Sequence, residues 1–313
     1  WSVYFVIRCL GRLPNLPQKL IWATGLAIGL TLGTRVGGLI LFGYLGLFFA
    51  LRYVQIGMQK KEANATGLIR SALFQVAAIV LIAWFTMLFF WPSAQHSPIF
   101  FPIDALMNFS QYGTPDFTTT FFEGERINIT EVPWYYAPRW FLLALPEFLF
   151  LGLTAGTVFV LVDRARRKAG GMGLSRARLE WGLLGFSAFF PLIYVVIIGT
   201  PLYDGLRHLL FVIPPLAVLS AAGVEAAVRE VPTNWVRRGL IGITSALLGL
   251  TLWDMVRLHP NEVVYFNRLV AGGLKEASKL YQTDYWENSH KQGVRWLDAY
   301  YDRHRLDRKL RIS

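Results

Sequence analysis

Charge is what this sequence has least of: only 16% of its 313 residues are Asp, Glu, Lys or Arg, against roughly 25% in a soluble domain. With 54% hydrophobic residues, that shortage excludes an ordinary water-soluble enzyme. Cysteine is almost missing too. The single Cys9 has no partner in the chain for a disulfide, a redox pair or a thiolate metal cluster. No Walker loop, dinucleotide fingerprint, His-Glu-x-x-His or Gly-x-Ser-x-Gly motif occurs, which leaves soluble nucleotide chemistry without support. Internal repeats and low-complexity tracts are also missing.

Long apolar runs are what the sequence has in their place. A membrane-spanning helix needs about 20 mostly apolar residues to cross the hydrocarbon core. Ser71 to Trp91, Phe141 to Val162 and Trp181 to Thr200 meet that requirement, and Leu209 to Val224 and Gly239 to Met255 are shorter runs bounded by polar loops. The stretch Leu20 to Leu51 is divided by Arg35 and is rich in glycine, so it reads either as one helix with a buried Arg or as two short helices meeting at a polar turn.

Basic residues decide between these. The net charge of +11 would suggest nucleic acid in a soluble protein, but in a membrane protein Lys and Arg report orientation first, and no nucleic-acid partner is expected. Arg52, Lys60, Lys61 and Arg70 precede one span, and Arg164, Arg166, Arg167, Lys168, Arg176 and Arg178 follow the next; both groups belong inside. Two helices, Leu20 to Leu32 and Val36 to Leu51, with Arg35 at their outer turn, also bring Arg8, Arg12 and Lys19 inside. The inner segments then hold 16 Lys and Arg against 4 in the short outer ones.

The expected fold is an all-α polytopic transmembrane bundle of about seven membrane helices after an N-terminal stub. It covers residues 1–256, with an outer loop at 92–139. A small, incomplete α/β extracytoplasmic module follows at 257–313. Its 11 basic and 7 acidic residues are mixed along the segment, as in a folded module. The location is the plasma (inner) membrane, multi-pass, with the C-terminal side extracytoplasmic. Trp1 to Ile7 reads as the last turns of a helix that begins upstream, and Lys309 to Ser313 as the opening of a β-strand, so the chain reads as an internal fragment.

Candidate chemistry lies in the outer segments. The 92–139 loop carries His96, Asp104, Asp116, Glu123, Glu125, Arg126 and Glu131, and ends in Pro133-Trp134-Tyr135-Tyr136. Aromatics beside a span form an interfacial belt; alternatively Tyr135 and Tyr136 are a stacking platform for a sugar or lipid headgroup. Glu123 and Glu125 flank Gly124 on a turn, a solvated acidic turn or a pair suited to a general base or a divalent cation. No other cofactor is implied.

In the loop before Leu209, Asp204, Arg207 and His208 sit at a membrane surface, where a guanidinium fork suits a lipid phosphate; the plainer reading pairs Arg207 with Asp204. Arg35, between glycine-rich helices that leave backbone room for a ligand, follows the same logic. Glu147, read as lying within a span after Pro146, is an ionisable residue at membrane depth and so a functional candidate; the plainer reading is that, near the outer end of the span, it reaches the headgroups. The tail phrases His259 to Asn267 and Thr283 to Ser289 are dense in polar and aromatic side chains, and their plain reading is packing against the outer mouth of the membrane domain.

Arg207-His208 before a helix with Pro214-Pro215, the glycine-rich run ending in Thr34-Arg35, and Pro133-Trp134-Tyr135-Tyr136 together resemble membrane glycosyltransferases of the GT-C superfamily. The nearest branch is the protein O-mannosyltransferase and aminoarabinose-transferase-like group, in a bacterial form with an extracytoplasmic tail whose phrases resemble Tyr265-Phe266-Asn267 and Asp284-Tyr285-Trp286. The resemblance implies inverting transfer of a sugar from a polyprenyl-phosphate carrier to an acceptor at the outer membrane face. Membrane lipid and that donor are the implied partners. It further implies that Arg207 binds the carrier phosphate, that Arg35 takes the place of a basic residue near that site, and that the acidic general base belongs to a loop preceding Trp1.

Two other classes stay open. A transporter would line a path at the membrane midplane with charge, whereas these spans are nearly free of it; an assembly subunit would use its tail to bind partners.

The charge asymmetry yields a direct test. In a Cys9→Ser background, Thr118→Cys is expected to react with an impermeant thiol reagent on intact cells and Lys168→Cys to stay unlabelled. Equal labelling would reject the orientation.

Overall fold

The computed structural model describes residues 1–59, 65–110, 119–166, 175–284 and 287–304. Asp116, Lys168, Thr118, Tyr285, Trp286 and the strand expected at 309–313 lie outside the described residues. The helices in chain order are α1 (Ser2–Leu10), α2 (Gln18–Thr34), α3 (Ile40–Gln59), α4 (Ala65–Phe90), α5 (Pro92–Gln95) and α6 (Phe100–Ser110). A hairpin of β1 (Thr119–Phe122) and β2 (Glu125–Asn128) follows. Then come α7 (Tyr136–Ala144), α8 (Glu147–Arg166), α9 (Arg176–Ile198), α10 (Ile213–Glu230) and α11 (Asn234–Leu258), and in the tail α12 (Arg268–Ala271), α13 (Leu274–Ala277) and α14 (His290–His304).

Helix dominates, and this is a membrane protein. Among the described residues five helices are long and apolar enough to cross a bilayer: Gly37–Gln59, Thr66–Phe90, Arg176–Ile198, Leu210–Glu230 and Asn234–Leu258. The bent pair α7 and α8 makes a sixth if counted as one span. Large apolar side chains such as Phe74, Phe85 and Phe89 of α4 stand exposed, as a bilayer solvent requires. The described tail residues form only helical elements, and the strands sit in the 92–139 loop.

The chain divides into two units, Trp1–Gly113 with Val160–Val195 and Phe211–Leu219, and Thr114–Phe159 with Val196–Leu210 and Ser220–Ser313. In the first, the break expected at Arg35 is present: α2 stops at Thr34, Arg35 is extended at φ −152° and ψ 130°, and a 3-10 turn Val36–Leu39 leads into α3. The glycines of α2 do not leave room for a ligand, as the sequence suggested. Gly25, Gly29 and Gly33 recur every four residues and admit α4. A Cβ on Gly29 would lie 2.5 Å from the Ala83 carbonyl oxygen, and one on Gly25 would lie 2.6 Å from Ile82. Small residues at this spacing let helix backbones approach closely, which is how helices gain packing contacts where lipid supplies no hydrophobic drive. Ile28, Leu32, Leu45, Ile79 and Met87 fill the core around this contact.

The second unit uses the same device. A Cβ on Gly152 of α8 would collide with Ser220 of α10, and one on Gly223 would collide with the Gly152 carbonyl.

The span expected over Phe141 to Val162 is the main correction. It is broken between Ala144 and Glu147, and the two helices meet at 110°. Pro146 causes the break: its ring disfavours helical geometry in the preceding residue, and Leu145 is extended at ψ 137°.

Gly29→Ala is expected to force α2 and α4 apart, lowering stability in detergent by about 1–3 kcal/mol, the usual range for overpacking. Gly46→Ala, where an added Cβ meets nothing within 4 Å, is the control and should not lower the thermal midpoint, since Ala is the better helix former.

Candidate functional site

A helix that stops at Ala144 leaves backbone carbonyls without helical partners, and in apolar surroundings each needs another donor. Asn267 provides them. Fully buried, it sends Nδ2 to the carbonyls of Leu142 at 2.6 Å and Leu145 at 2.9 Å, and its backbone N–H to Leu143 at 2.9 Å. Its Oδ1 accepts from the N–H groups of Val270 and Ala271, capping α12. One side chain thus closes one helix and opens another. The signal was present in the sequence as Asn267 ahead of a short run ended by Gly272, a cap pair, with Gly272 at φ 70°.

Glu147 strengthens the joint. Far from lying inside a continuous span, it occupies the first turn of α8, where the helix dipole favours an anion. One oxygen accepts from the backbone N–H groups of Arg268 at 2.7 Å and Leu269 at 3.3 Å; the other accepts from the Tyr265 hydroxyl at 3.3 Å. Burial, and then the Glu147 carboxylate, push the Tyr265 phenol well above its ordinary range, so it stays a donor. Arg268 in turn donates its Nε to Asp254 of α11 at 3.2 Å.

Above this joint lies an aromatic core of Phe122, Tyr136, Trp140, Phe266 and Tyr281, each at most 5% exposed. Ring centroids are 4.8 Å apart for Phe122 and Tyr136, and 5.6 Å for Trp140 and Phe266. Arg139 lies at its edge, donating Nε to the Tyr281 hydroxyl at 3.1 Å and approaching Glu123 at 3.4 Å. The hairpin and the tail are stitched by Gly124 N–H to the Leu280 carbonyl and Gln282 N–H to the Phe121 carbonyl.

These contacts redistribute the expected roles. Tyr136 is 1% exposed, so it belongs to the core, whereas Tyr135 and Trp134 are exposed at 37% and 70%. Glu123 and Gly124 form a tight turn at φ 52° and 88°. Glu123 is committed to Arg139 and the Tyr135 hydroxyl, while Glu125 is exposed opposite Phe122. Among the described residues no three His, Cys, Asp or Glu side chains converge. Arg35 is exposed and belongs to the first unit.

The loop before α10 rests on this core. Gly205, at φ 65°, packs against Trp140 and donates its N–H to the Tyr136 hydroxyl at 3.3 Å. That turn presents Asp204 and Arg207 to each other as an ion pair with side chains 17% and 22% exposed. The Arg207 guanidinium stacks 4.6 Å from the Tyr203 ring centroid, and the His208 ring meets the same tyrosine at 4.8 Å. Burial raises the Asp204 pKa and Arg207 offsets part of that rise. The result is a mostly buried guanidinium held at the head of an apolar helix that is long enough to cross a membrane.

Asn267→Ala would leave the Leu142 and Leu145 carbonyls without donors in an apolar setting, at about 1–3 kcal/mol each. Denaturant unfolding in detergent should show a loss in that range or above, and a midpoint equal to the parent's would reject the role of Asn267.

Compared with models of known protein families, with curated proteins and with solved structures, the chain has no match.

Proposed function

We propose that this protein is an integral membrane glycosyltransferase that takes a sugar from a polyprenyl-phosphate carrier, with Arg207 holding the carrier phosphate. The observation that carries the reading is the Arg207 guanidinium, mostly buried yet charged, at the head of the helix spanning Leu210–Glu230. A donor with a polyprenyl tail stays in the bilayer, so its phosphate is met at the surface, where such a helix begins. Asp204 and Tyr203 set the orientation of the guanidinium, and the loop that carries all three is fixed by Gly205 against Trp140 and Tyr136.

The reaction is a displacement with inversion. The acceptor hydroxyl oxygen bonds to the anomeric carbon, the carbon's bond to the carrier phosphate oxygen breaks, and the acceptor proton passes to a base. Arg207 offsets the charge that gathers on the leaving phosphate. Tyr135 and Trp134 are the exposed aromatics that face sugar. The reading assigns no base among the residues of this chain. Counting α2 and the broken pair α7 and α8 as crossings gives a seven-helix topology. It puts the 92–139 loop, the loop carrying Arg207 and the tail together on the extracytoplasmic side of the plasma membrane.

Purified protein should bind polyprenyl phosphate in preference to polyprenol. Arg207→Ala should abolish that preference, weakening phosphate binding about tenfold or more, as loss of charge-assisted hydrogen bonds does. Arg207→Lys should recover part, because an ammonium keeps the charge but loses the planar fork. Unchanged preference in Arg207→Ala would overturn the proposal. Folding is read separately. Without the cation, burial alone acts on Asp204 and raises its carboxyl further, so the folded variant holds a proton that the unfolded chain releases. Relative to the parent, the Arg207→Ala protein should therefore gain a contribution from Asp204 that is present at acid pH and is lost as pH rises through the raised pKa.

A further inference from the structure

Away from that loop, in the first unit, three arginines line one cleft. Ile7 and Arg8 from the end of α1, with Gly11 and Arg12 just after it, face Arg176 and Glu180 from the start of α9 across a space of about 370 Å³. That volume is at the small end of ligand sites, which suits a headgroup. Three guanidinium groups against one carboxylate leave the cleft strongly cationic. Glu180 holds Arg176 by its Nε at 2.7 Å, and the Arg176 guanidinium lies over Gly11, where an added Cβ would come within 2.5 Å of Nη2. Arg8 is steered by the Tyr4 hydroxyl at 2.8 Å. Among the described residues, the Arg12 side chain makes no hydrogen bond or ion pair.

We infer that this cleft binds the phosphate of an anionic membrane lipid. Clustered guanidinium groups repel one another, and a phosphate that accepts from two or three of them turns that repulsion into attraction. The position favours lipid over free phosphate as the source. Arg176 opens a helix long and apolar enough to span the membrane, so the cleft sits where such a helix leaves the hydrocarbon. Tyr4, which accepts from Arg8, is exposed at 45%, as interfacial aromatics are. The inference is independent of the Arg207 reading, since it concerns other residues and needs no sugar transfer.

The test uses the whole chain in nanodiscs of phosphatidylcholine with a minor fraction of phosphatidylglycerol, with lipid retained on the folded protein measured by native mass spectrometry. The parent should retain phosphatidylglycerol and show a higher thermal midpoint than in phosphatidylcholine alone, as a ligand of the folded state gives. The Arg12→Gln/Arg176→Gln variant should lose about tenfold in retention and lose the thermal gain. An Arg70→Gln/Arg238→Gln variant, with the same charge removed elsewhere, should keep both. Equal retention by parent and cleft variant would overturn the site. An equal loss in the control variant would replace it with diffuse charge attraction. If inorganic phosphate alone gave the same Arg12-dependent gain in midpoint as the lipid, the lipid source would be wrong.

Discussion

A helix cannot be interrupted in apolar surroundings unless something takes over its orphaned carbonyls, and the second unit is organised around meeting that demand. Pro146 dictates the interruption, and Asn267 supplies the donors. Because the same residue caps α12, the tail is fastened to the end of α7. The aromatic core forms between the two, and the loop bearing Arg207 rests on that core through Gly205. Removing the fastening would affect Arg207 without touching it.

The first unit meets a different constraint. Between apolar helices in lipid, burial of apolar surface gives little drive, so close backbone contact must supply the packing. The four-residue repeat of Gly25, Gly29 and Gly33 gives α2 a flat face, and α4 lies against it. Polar side chains tie the neighbouring helices to this pair: Tyr53 of α3 donates to Gln75 of α4 at 3.0 Å, and Cys9 of α1 pairs with Thr24 of α2 at 3.2 Å. The lone cysteine is thus a buried packing residue.

Much of this was legible in the sequence. Apolar run length marks the spans, and Arg35 among glycines marks the break after α2, because both signals are local. Pro146 was legible as well, yet the run from Phe141 to Val162 outweighed it; hydropathy sums composition and is blind to one lost backbone geometry. The roles of Tyr136 and Glu147 were hidden for another reason. Whether a tyrosine offers its face to a sugar or lies in a core depends here on Phe122 of the hairpin, which packs on Tyr136, and on Tyr281 of the tail, which packs on Phe122 from far along the chain. Asn267 carried the signature of a short capped helix, but its larger task, serving carbonyls 122 and 125 residues earlier, has no local signature. Asp204 and Arg207 are three residues apart, and their pairing was one of the two readings open from spacing alone.

That separation of 122 residues between Leu145 and Asn267 has a consequence in time. A ribosome adding about 5–20 residues per second takes on the order of ten seconds to go from one to the other. Through that interval α7 and α8 have emerged, while the donor that secures their bend has not been made. The corner must be held by water, lipid headgroups or the insertion machinery until three more helices have followed, so the bend is locked only well after it is made.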